Sequence, residues 1–331
     1  MLCGLEKETG FIPVFKGSIF LMPIESKIIK QTLVLFAMTL LILLINVDYM
    51  AVNTAMVSIS KEFDTSLEDL QWILSGYVLA WAVLVIPAGQ LSDIFGQRLL
   101  LLWGVGIFAL ASIICALVNS AFFLILARIL QGFGGALFVP SLYVLVFDTF
   151  PHGRRGFAIG TLGIGAAIGL AAGPSFGGVF LKYFSWRSIF LINVPICLVS
   201  FILIILCVPK EPKKLRDRQV DVQGSLLLGG ALALFMYAMN QINTWGLATP
   251  FFWGCFALSS MSFAAFLKLS HGKSAPLIPE ELFTNKSFVI CTIGFVVYSF
   301  SFSAIIVIIG LYLQNLQGYS AYEAGLIFLS M

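Results

Sequence analysis

Charge is the scarcest property of this sequence of 331 residues. Asp, Glu, Lys and Arg make up 11% of the chain, whereas hydrophobic residues make up 60%. Soluble globular proteins carry about 25% charged residues, so the composition excludes an ordinary cytosolic enzyme, a disordered chain and a nucleic-acid-binding protein. Histidine is nearly absent, with two residues, and the six cysteines include no C-x-x-C pair. We therefore expect no metal centre, no disulfide, no cofactor and no enzymatic activity.

Long apolar segments take the place of charged sequence. A membrane-spanning helix needs about 20 mainly apolar residues. Nine segments satisfy this requirement: Gln31–Val57, Leu70–Leu91, Leu99–Val118, Ala121–Phe147, Phe157–Leu181, Ser188–Val208, Gly224–Gln241, Phe251–Leu267 and Ser287–Gln314. A tenth begins near Tyr322 and reaches only Met331. The sequence therefore predicts an all-α, multi-pass membrane bundle.

The distribution of Lys and Arg indicates the orientation of this bundle. With a cytoplasmic amino terminus, fifteen of these residues fall in inside segments, three fall outside, and Arg128 lies within a span. Cytoplasmic loops of membrane proteins carry an excess of positive residues, so we expect the amino terminus to be cytoplasmic.

Five regions follow from the spans and the charges between them. They are a cytoplasmic amino-terminal segment (1–30), a first six-helix bundle (31–208), a basic cytoplasmic linker (209–223), an extra two-helix hairpin (224–267) and the start of a second bundle (268–331).

Asp48 and Arg128 are ionisable residues within predicted spans, where a charge is costly unless it meets a partner or a water-filled cavity. Asp48 lies about 20 Å and Arg128 about 14 Å from the predicted outer surface, at 1.5 Å per helical residue. We expect the two side chains to interact and to face one polar cavity. Burial opposes the charge on a carboxylate and a nearby arginine favours it, so such a group can bind and release a proton. The alternative is a static ion pair that only holds the bundle together.

Two amides accompany this pair as candidate coupling residues. Gln131 lies one helical turn from Arg128 and shares its face, although an interhelical hydrogen bond is the commoner role of such a residue. Asn53 lies about 140° around the helix from Asp48 and so does not share the face of the carboxylate.

Glycine is of structural interest in two places. Gly165, Gly169, Gly173 and Gly177 recur every four residues, which allows helices to pack closely, either as plain packing or as a surface on which helices slide. Pro174 within this row removes a backbone donor, so we expect a kink. The second place is the short turn between the second and third spans, 89–98, which contains Gly89, Gly96, Asp93 and Arg98.

Six motifs follow one another along the chain. They are Asp48-Tyr-Met-Ala-Val-Asn53-Thr-Ala55, Gly89-x-Leu-Ser-Asp93-x-x-Gly96-x-Arg98, Arg128-Ile-Leu-Gln131-Gly132-x-Gly134-x-Ala136, Gly169-x-x-x-Gly173-Pro174-x-x-Gly177-Gly178, Ser185-Trp186-Arg187-x-x-Phe190-x-x-Asn193-x-Pro195, and Pro276-Leu277-Ile278 followed by Leu282-Phe283. In this order and spacing they resemble the major facilitator superfamily, specifically its fourteen-span drug:proton antiporter branch.

The resemblance implies a function and a role for each motif. The chain would take part in efflux of small lipophilic or cationic compounds across the cell (plasma or inner) membrane, driven by a proton gradient. Asp48 would bind the proton and the cationic substrate, and Arg128 would couple to it. Gly89, Asp93, Gly96 and Arg98 would belong to a cytoplasmic gate. Gly169, Gly173, Pro174, Gly177 and Gly178 would form the antiporter motif that shapes the exchange between facing states.

The sequence also departs from the family pattern. Ile94 and Gln97 stand where the gate motif usually carries basic residues, and Met50 and Val57 replace the usual Thr and Pro around Asp48. A fourteen-span transporter needs about 450 residues at about 20 per span plus loops, so we expect this polypeptide alone not to transport and a complementing carboxy-terminal chain to be a possible partner. Alternative functions are a specific metabolite facilitator of the same superfamily and a non-transporting membrane interaction protein.

Overall fold

The structure, a computed structural model, describes residues 24–210, 221–271, 273, 276–319, 323 and 327. Most of these residues lie in helices. The helices are α1 (Ile24–Phe63), α2 (Leu67–Phe95), α3 (Gln97–Leu117), α4 (Ala121–Thr149), α5 (Arg155–Tyr183), α6 (Trp186–Leu191), α7 (Asn193–Cys207), α8 (Val222–Asn240), α9 (Ile242–Trp245), α10 (Pro250–Ser270), α11 (Glu280–Thr284) and α12 (Lys286–Leu311). Within the described ranges, eight helical stretches are long and apolar enough to cross a membrane. The prediction of an all-α membrane bundle is confirmed.

The observed helices follow the predicted spans closely. α1 begins at Ile24, before the predicted start at Gln31, so residues 24–30 continue the first helix. α12 corresponds to the ninth span. The amino-terminal residues 1–23, most of the basic linker and most of the tenth segment lie outside the described residues.

The sixth predicted span is present as one apolar helical stretch, Trp186–Cys207, which is interrupted only at Ile192. α6 ends at Leu191 and α7 begins at Asn193. Pro195 has no N–H to donate to the carbonyl of Leu191, and its ring opposes a continuous helix at that point. The side chain of Asn193, the first residue of α7, is fully buried.

The first bundle is organised around three long helix contacts. α1 packs along α5, while α2 and α3 both pack along α4, and α7 closes the bundle against α1 and α3. The core between them contains Met38, Leu41, Phe108, Phe138 and Leu142, all fully buried. The rings of Phe108 and Phe138 meet edge to face at 5.8 Å. Helices that are apolar all round are stabilised by such packing and not by an amphipathic stripe.

α8 and α10 form the predicted extra hairpin. Two hydroxyl groups of α10 connect the helices, since Ser259 Oγ donates to the carbonyl of Ala231 at 2.7 Å and Ser262 Oγ to that of Leu227 at 2.9 Å. The turn contains Gly246, whose φ of 72° falls in the region that favours glycine. α8 packs against α2, so the hairpin is docked on the first bundle.

α12 is the least covered helix. Every residue from Lys286 to Ser301 is exposed or half-buried, including Phe295 and Phe300. Because these side chains are mostly apolar, this surface fits contact with lipid or with further helices better than contact with water.

Candidate functional site

The two ionisable residues predicted within spans form an ion pair. Arg128 Nη1 of α4 lies 2.5 Å from Asp48 Oδ2 of α1, and both side chains have no exposed surface. Burying two charges is costly and is repaid only when the geometry is close and the remaining polar atoms are also bonded. The pair therefore depends on the groups around it.

Three neutral side chains complete the surroundings of the carboxylate. Asn193 Nδ2 of α7 donates to Asp48 Oδ1 at 2.6 Å, and Gln131 Nε2 of α4 donates to the same atom at 3.2 Å. Ser112 Oγ of α3 accepts from Gln131 at 2.9 Å and from Asn193 at 3.3 Å. One carboxylate thus connects α1, α4 and α7 directly and α3 through Ser112. We call Asp48, Arg128, Gln131, Asn193 and Ser112 the buried polar cluster.

Arg128 is further held by the helix that lies beside it. Its Nε donates to the carbonyl of Ile73 at 3.2 Å, and its guanidinium lies 4.2 Å from the ring centre of Tyr77, both on α2. Gln131 Oε1 accepts from Arg128 Nη1 at 2.6 Å. A cation over an aromatic ring gains about 2 kcal/mol when desolvated, so α2 also contributes to the stability of the charge.

Two polar atoms of the cluster lack a partner within the described part of the chain. They are Arg128 Nη2 and Asn193 Oδ1, both buried. A buried polar atom without a hydrogen bond costs about 1–3 kcal/mol. The cluster is therefore incompletely satisfied in this arrangement, which lowers the free energy needed to rearrange it.

The predicted interaction between Asp48 and Arg128 is present, and the expected shared cavity stays a prediction. Their surroundings are packed side chains, including Cys115 and Phe190, which are also buried. The carboxylate has no exposed surface from which to exchange a proton in this conformation. Proton exchange at Asp48 would thus require the helices around it to move.

Gln131 joins this cluster, whereas Asn53 does not. Asn53 is exposed on α1, while its neighbours Val52 and Ala55 are buried. This placement follows from the rotation of about 140° between positions 48 and 53. The assignment of Asn53 as a coupling residue stays a prediction, and no contact with Asp48 supports it.

The predicted gate turn is almost entirely helical. α2 continues to Phe95 and α3 begins at Gln97, so Gly96 alone lies between them, with a φ of 95° that favours glycine. Gly89 lies inside α2, and a β-carbon there would meet no atom within 4 Å. The chain therefore reverses at Gly96, and Gly89 belongs to the helix before it.

The charged residues of this turn have partners on the first bundle. Gln97 Nε2 donates to Asp93 Oδ1 at 3.2 Å, so an amide fills the position where the family pattern usually carries a base. Arg98 Nη2 donates to the carbonyl of Ile205 on α7 at 2.9 Å. The turn thus attaches α2 and α3 to α7 at one end of the bundle.

The glycine row of α5 lies directly against α1. A β-carbon at Gly165 would lie 2.7 Å from Thr39 Cγ2, and one at Gly169 would lie 2.7 Å from the carbonyl oxygen of Leu43. Gly173 faces Met50 and Gly177 faces the backbone of Ala51 in the same way. The close packing expected of this row is confirmed, and it brackets the stretch of α1 that carries Asp48.

Pro174 and Gly178 belong to the same helix, which continues from Arg155 to Tyr183 without interruption. Both are half-buried. Pro174 removes one backbone hydrogen bond from α5, and the predicted kink at this point stays a prediction.

A second polar cluster lies at the start of α8. Asp221 caps this helix by accepting from the N–H of Gly224 at 2.8 Å, and it also accepts from Lys273 Nζ at 2.6 Å and from the N–H of Leu277 at 3.3 Å. Gln90 Oε1 of α2 accepts from the N–H of Asp221 at 3.1 Å. Burial alone would raise the pKa of Asp221, but the Lys273 ammonium and these N–H groups outweigh it, so the pKa lies below the ordinary value.

Sequence reasoning missed three members of the main site: Asn193, Ser112 and Tyr77. Asn193 carried a signal, because it lies two positions before Pro195 and a proline within a helix is a common site of a kink. Ser112 and Tyr77 carried none, since single hydroxyl groups in apolar helices are common. Among the described residues, no group of three His, Cys, Asp or Glu side chains could hold a metal ion.

Comparison with known proteins finds one family and several similar resistance proteins. The family model described as Major Facilitator Superfamily matches residues 38–331. The chain is 33% identical over 291 residues to a tetracenomycin C resistance and export protein of Streptomyces glaucescens, covering 88% of this chain and 54% of that protein. It is 33% identical over 287 residues to a methylenomycin A resistance protein of Streptomyces coelicolor, covering 86% and 60%.

A third relative is the multidrug resistance protein Stp of Mycobacterium tuberculosis. It is 33% identical over 310 residues, covering 90% of this chain and 56% of that protein. The chain spans a little over half the length of these curated relatives.

Proposed function

We propose that this chain, which belongs to the major facilitator superfamily, takes part in proton-coupled efflux of small lipophilic or cationic compounds, with Asp48 as the group that binds and releases the proton. The observation that carries the proposal is the buried polar cluster. A single carboxylate there connects four helices of the bundle, so its charge affects how all four are held together.

Protonation of Asp48 would change the energy of this arrangement. Removing one partner of a buried ion pair costs about 3–5 kcal/mol, because the other charge is left buried and unpaired. Arg128 cannot give up its own proton, so a neutral Asp48 favours any conformation in which water or a substrate reaches the guanidinium. Proton binding and a change of helix packing are thereby coupled at one site.

The relatives support the substrate class. Their names describe resistance to or export of tetracenomycin C, methylenomycin A and multiple drugs. These are different small compounds, and this agrees with a role in efflux more than with a facilitator for one specific metabolite.

The contact between α5 and α1 supplies a surface along which the bundle could change shape. With glycine at Gly165, Gly169, Gly173 and Gly177, no side chain of α5 projects between the helices at these four positions. We propose that α1 shifts along this row of glycines when the buried polar cluster opens. Asp93 and Arg98 would then hold or release the cytoplasmic end of the bundle.

Three further proposals concern the setting of the chain. The eight membrane-length helices make it a multi-pass membrane protein, and we propose the plasma or inner membrane with a cytoplasmic amino terminus. We also propose that further helices, from a continuing or a complementing carboxy-terminal chain, cover α12. Co-purification of a second membrane polypeptide would support the complementing chain.

The test of this function is proton exchange in proteoliposomes. The protein is reconstituted with a pH-sensitive dye inside the vesicles, and tetraphenylphosphonium is added as a cationic compound. Because the chain alone is expected not to transport, the carboxy-terminal helices that complete the bundle are supplied with it, and we then expect proton movement in the wild type and none in Asp48→Asn. The exchanged pair, Asp48→Arg with Arg128→Asp, separates coupling from bracing, because a static brace tolerates reversal of both charges. Restored proton movement in the exchanged pair would contradict the assignment of Asp48.

A further inference from the structure

The docking of the extra hairpin on the first bundle leaves a cleft between α2 and α8. Its volume is about 420 Å³, within the range of about 300–1,000 Å³ that is usual for small-ligand sites. Its lining includes Tyr49, Gln71, Ser75, Met236, Met239 and Asn240. Ser75 Oγ donates to Asn240 Oδ1 at 3.3 Å where the two helices approach.

The chemistry of the lining selects one class of ligand. All eight lining residues are uncharged, so the cleft offers a charged ligand no ionic partner. Met236 and Met239 supply flexible, polarisable surface that adapts to different shapes. Gln71, Ser75 and Asn240 supply donors and acceptors for a few hydrogen bonds. This combination suits an uncharged aromatic compound with polar substituents.

The cleft is connected to the buried polar cluster through two aromatic rings. Tyr49 lines the cleft and follows Asp48 in sequence. Its ring stacks on that of Tyr77 with centres 6.4 Å apart, and Tyr77 in turn lies 4.2 Å from the Arg128 guanidinium. A ligand that displaces Tyr49 would therefore disturb the ring that covers Arg128.

The position of the cleft along the helices is also informative. Asn240 is the last residue of α8, and Gln71 lies near the start of α2. Both positions are at the opposite end of α2 from Gly96 and the predicted cytoplasmic gate. In the proposed orientation the cleft lies on the outer side of the membrane.

We infer that this cleft between α2 and the extra hairpin is a binding subsite for uncharged aromatic compounds, separate from the buried polar cluster and in contact with it through Tyr49. The inference rests on the proposed function. It adds a site for neutral compounds to the one at Asp48, which suits cations.

The test uses N-phenyl-1-naphthylamine, an uncharged aromatic amine, with purified protein in detergent. Binding is followed by energy transfer from tryptophan, because Trp72 lies beside the cleft with its ring 5.7 Å from that of Tyr237. Ser75→Leu fills the cleft and removes the hydroxyl, and we expect it to weaken binding at least about tenfold, or ~1.4 kcal/mol. The matched control is Ser260→Leu, since Ser260 is exposed on α10 away from the cleft, and its affinity should equal that of the wild type.

Asn240→Leu serves as the second variant should Ser75→Leu fold poorly, because it changes only the end of α8. Absence of probe binding to the wild type, or unchanged affinity in Asn240→Leu and in folded Ser75→Leu, would overturn the inference. Failure of the proposed function gives a different result. In that case tetraphenylphosphonium moves protons equally in the wild type and Asp48→Asn, whatever the neutral probe does.

Discussion

Neutralising Asp48 should destabilise the protein far more than the small change in side-chain structure from Asp to Asn suggests. In Asp48→Asn the amide keeps one oxygen as an acceptor, but its NH₂ group meets the donors that now point at the carboxylate, from Arg128, Asn193 and Gln131. Arg128 is left fully buried without a counter-charge. We expect a loss of about 3–5 kcal/mol in the free energy of unfolding, which is about 100- to 4,000-fold in the folding equilibrium.

Removing the second charge should restore most of this loss. In the double variant Asp48→Asn with Arg128→Met no charge remains buried, and replacement of a buried ion pair by neutral groups is often close to neutral. We expect the double variant to be more stable than Asp48→Asn by about 2–4 kcal/mol. The assay is equilibrium unfolding in detergent micelles, followed by tryptophan fluorescence against guanidinium chloride.

An exposed ion pair of the same chain provides the control. Arg187 Nη1 lies 2.6 Å from Glu62 Oε1, with side chains 25% and 43% exposed. Exposed pairs contribute about 0–1 kcal/mol. The corresponding variants Glu62→Gln and Glu62→Gln with Arg187→Met should therefore differ little in their free energies of unfolding. The reasoning is refuted if Asp48→Asn costs no more than Glu62→Gln, or if removing Arg128 as well adds to the loss.

Three further predictions follow from neighbouring contacts. Gly169→Ala should lower the free energy of unfolding by about 1–3 kcal/mol, because the added methyl group overpacks against α1. The matched control Gly163→Ala, at an exposed position with open space, should not lower it. Equal effects of the two substitutions in chemical unfolding would contradict the packing argument. Asn193→Ala should cost about 1.5–3 kcal/mol, the value of a hydrogen bond to a charged group, in the same assay. Because folding lowers the pKa of Asp221, its contribution to stability is present above about pH 4 and is lost as the pH falls through the folded value. Thermal unfolding of Asp221→Asn should lack this acid-dependent component, and an unchanged profile would refute the stabilising role of Asp221.

The sequence was informative about the number of helices and the depth of the charged residues. Uncharged runs and turn residues locate the spans because the membrane permits few alternatives to a helix of about 20 residues. Helical rise alone placed Asp48 and Arg128 at similar depths, and the structure joins them at 2.5 Å. The four-residue spacing of the glycines similarly predicted the close contact of α5 with another helix.

The rotation of each helix could not be predicted in this way. A helix that is apolar all round has no polar face to indicate which side is buried, so nothing in the sequence selected Ser112 or Tyr77 as neighbours of the ion pair. The contact of Asn193 with Asp48 also depends on how the sixth span is rotated in the bundle. The closed surroundings of Asp48 likewise depend on side chains from four other helices.

The central claim is that Asp48 exchanges a proton when a substrate opens the buried polar cluster. The most direct measurement is proton release on addition of tetraphenylphosphonium to purified protein in weakly buffered detergent solution, followed with a pH-indicator dye. The account predicts that the wild type releases protons and that the amount released depends on pH, with a bell-shaped or sigmoidal profile. Asp48→Asn should release none at any pH. Equal release by both proteins would contradict it.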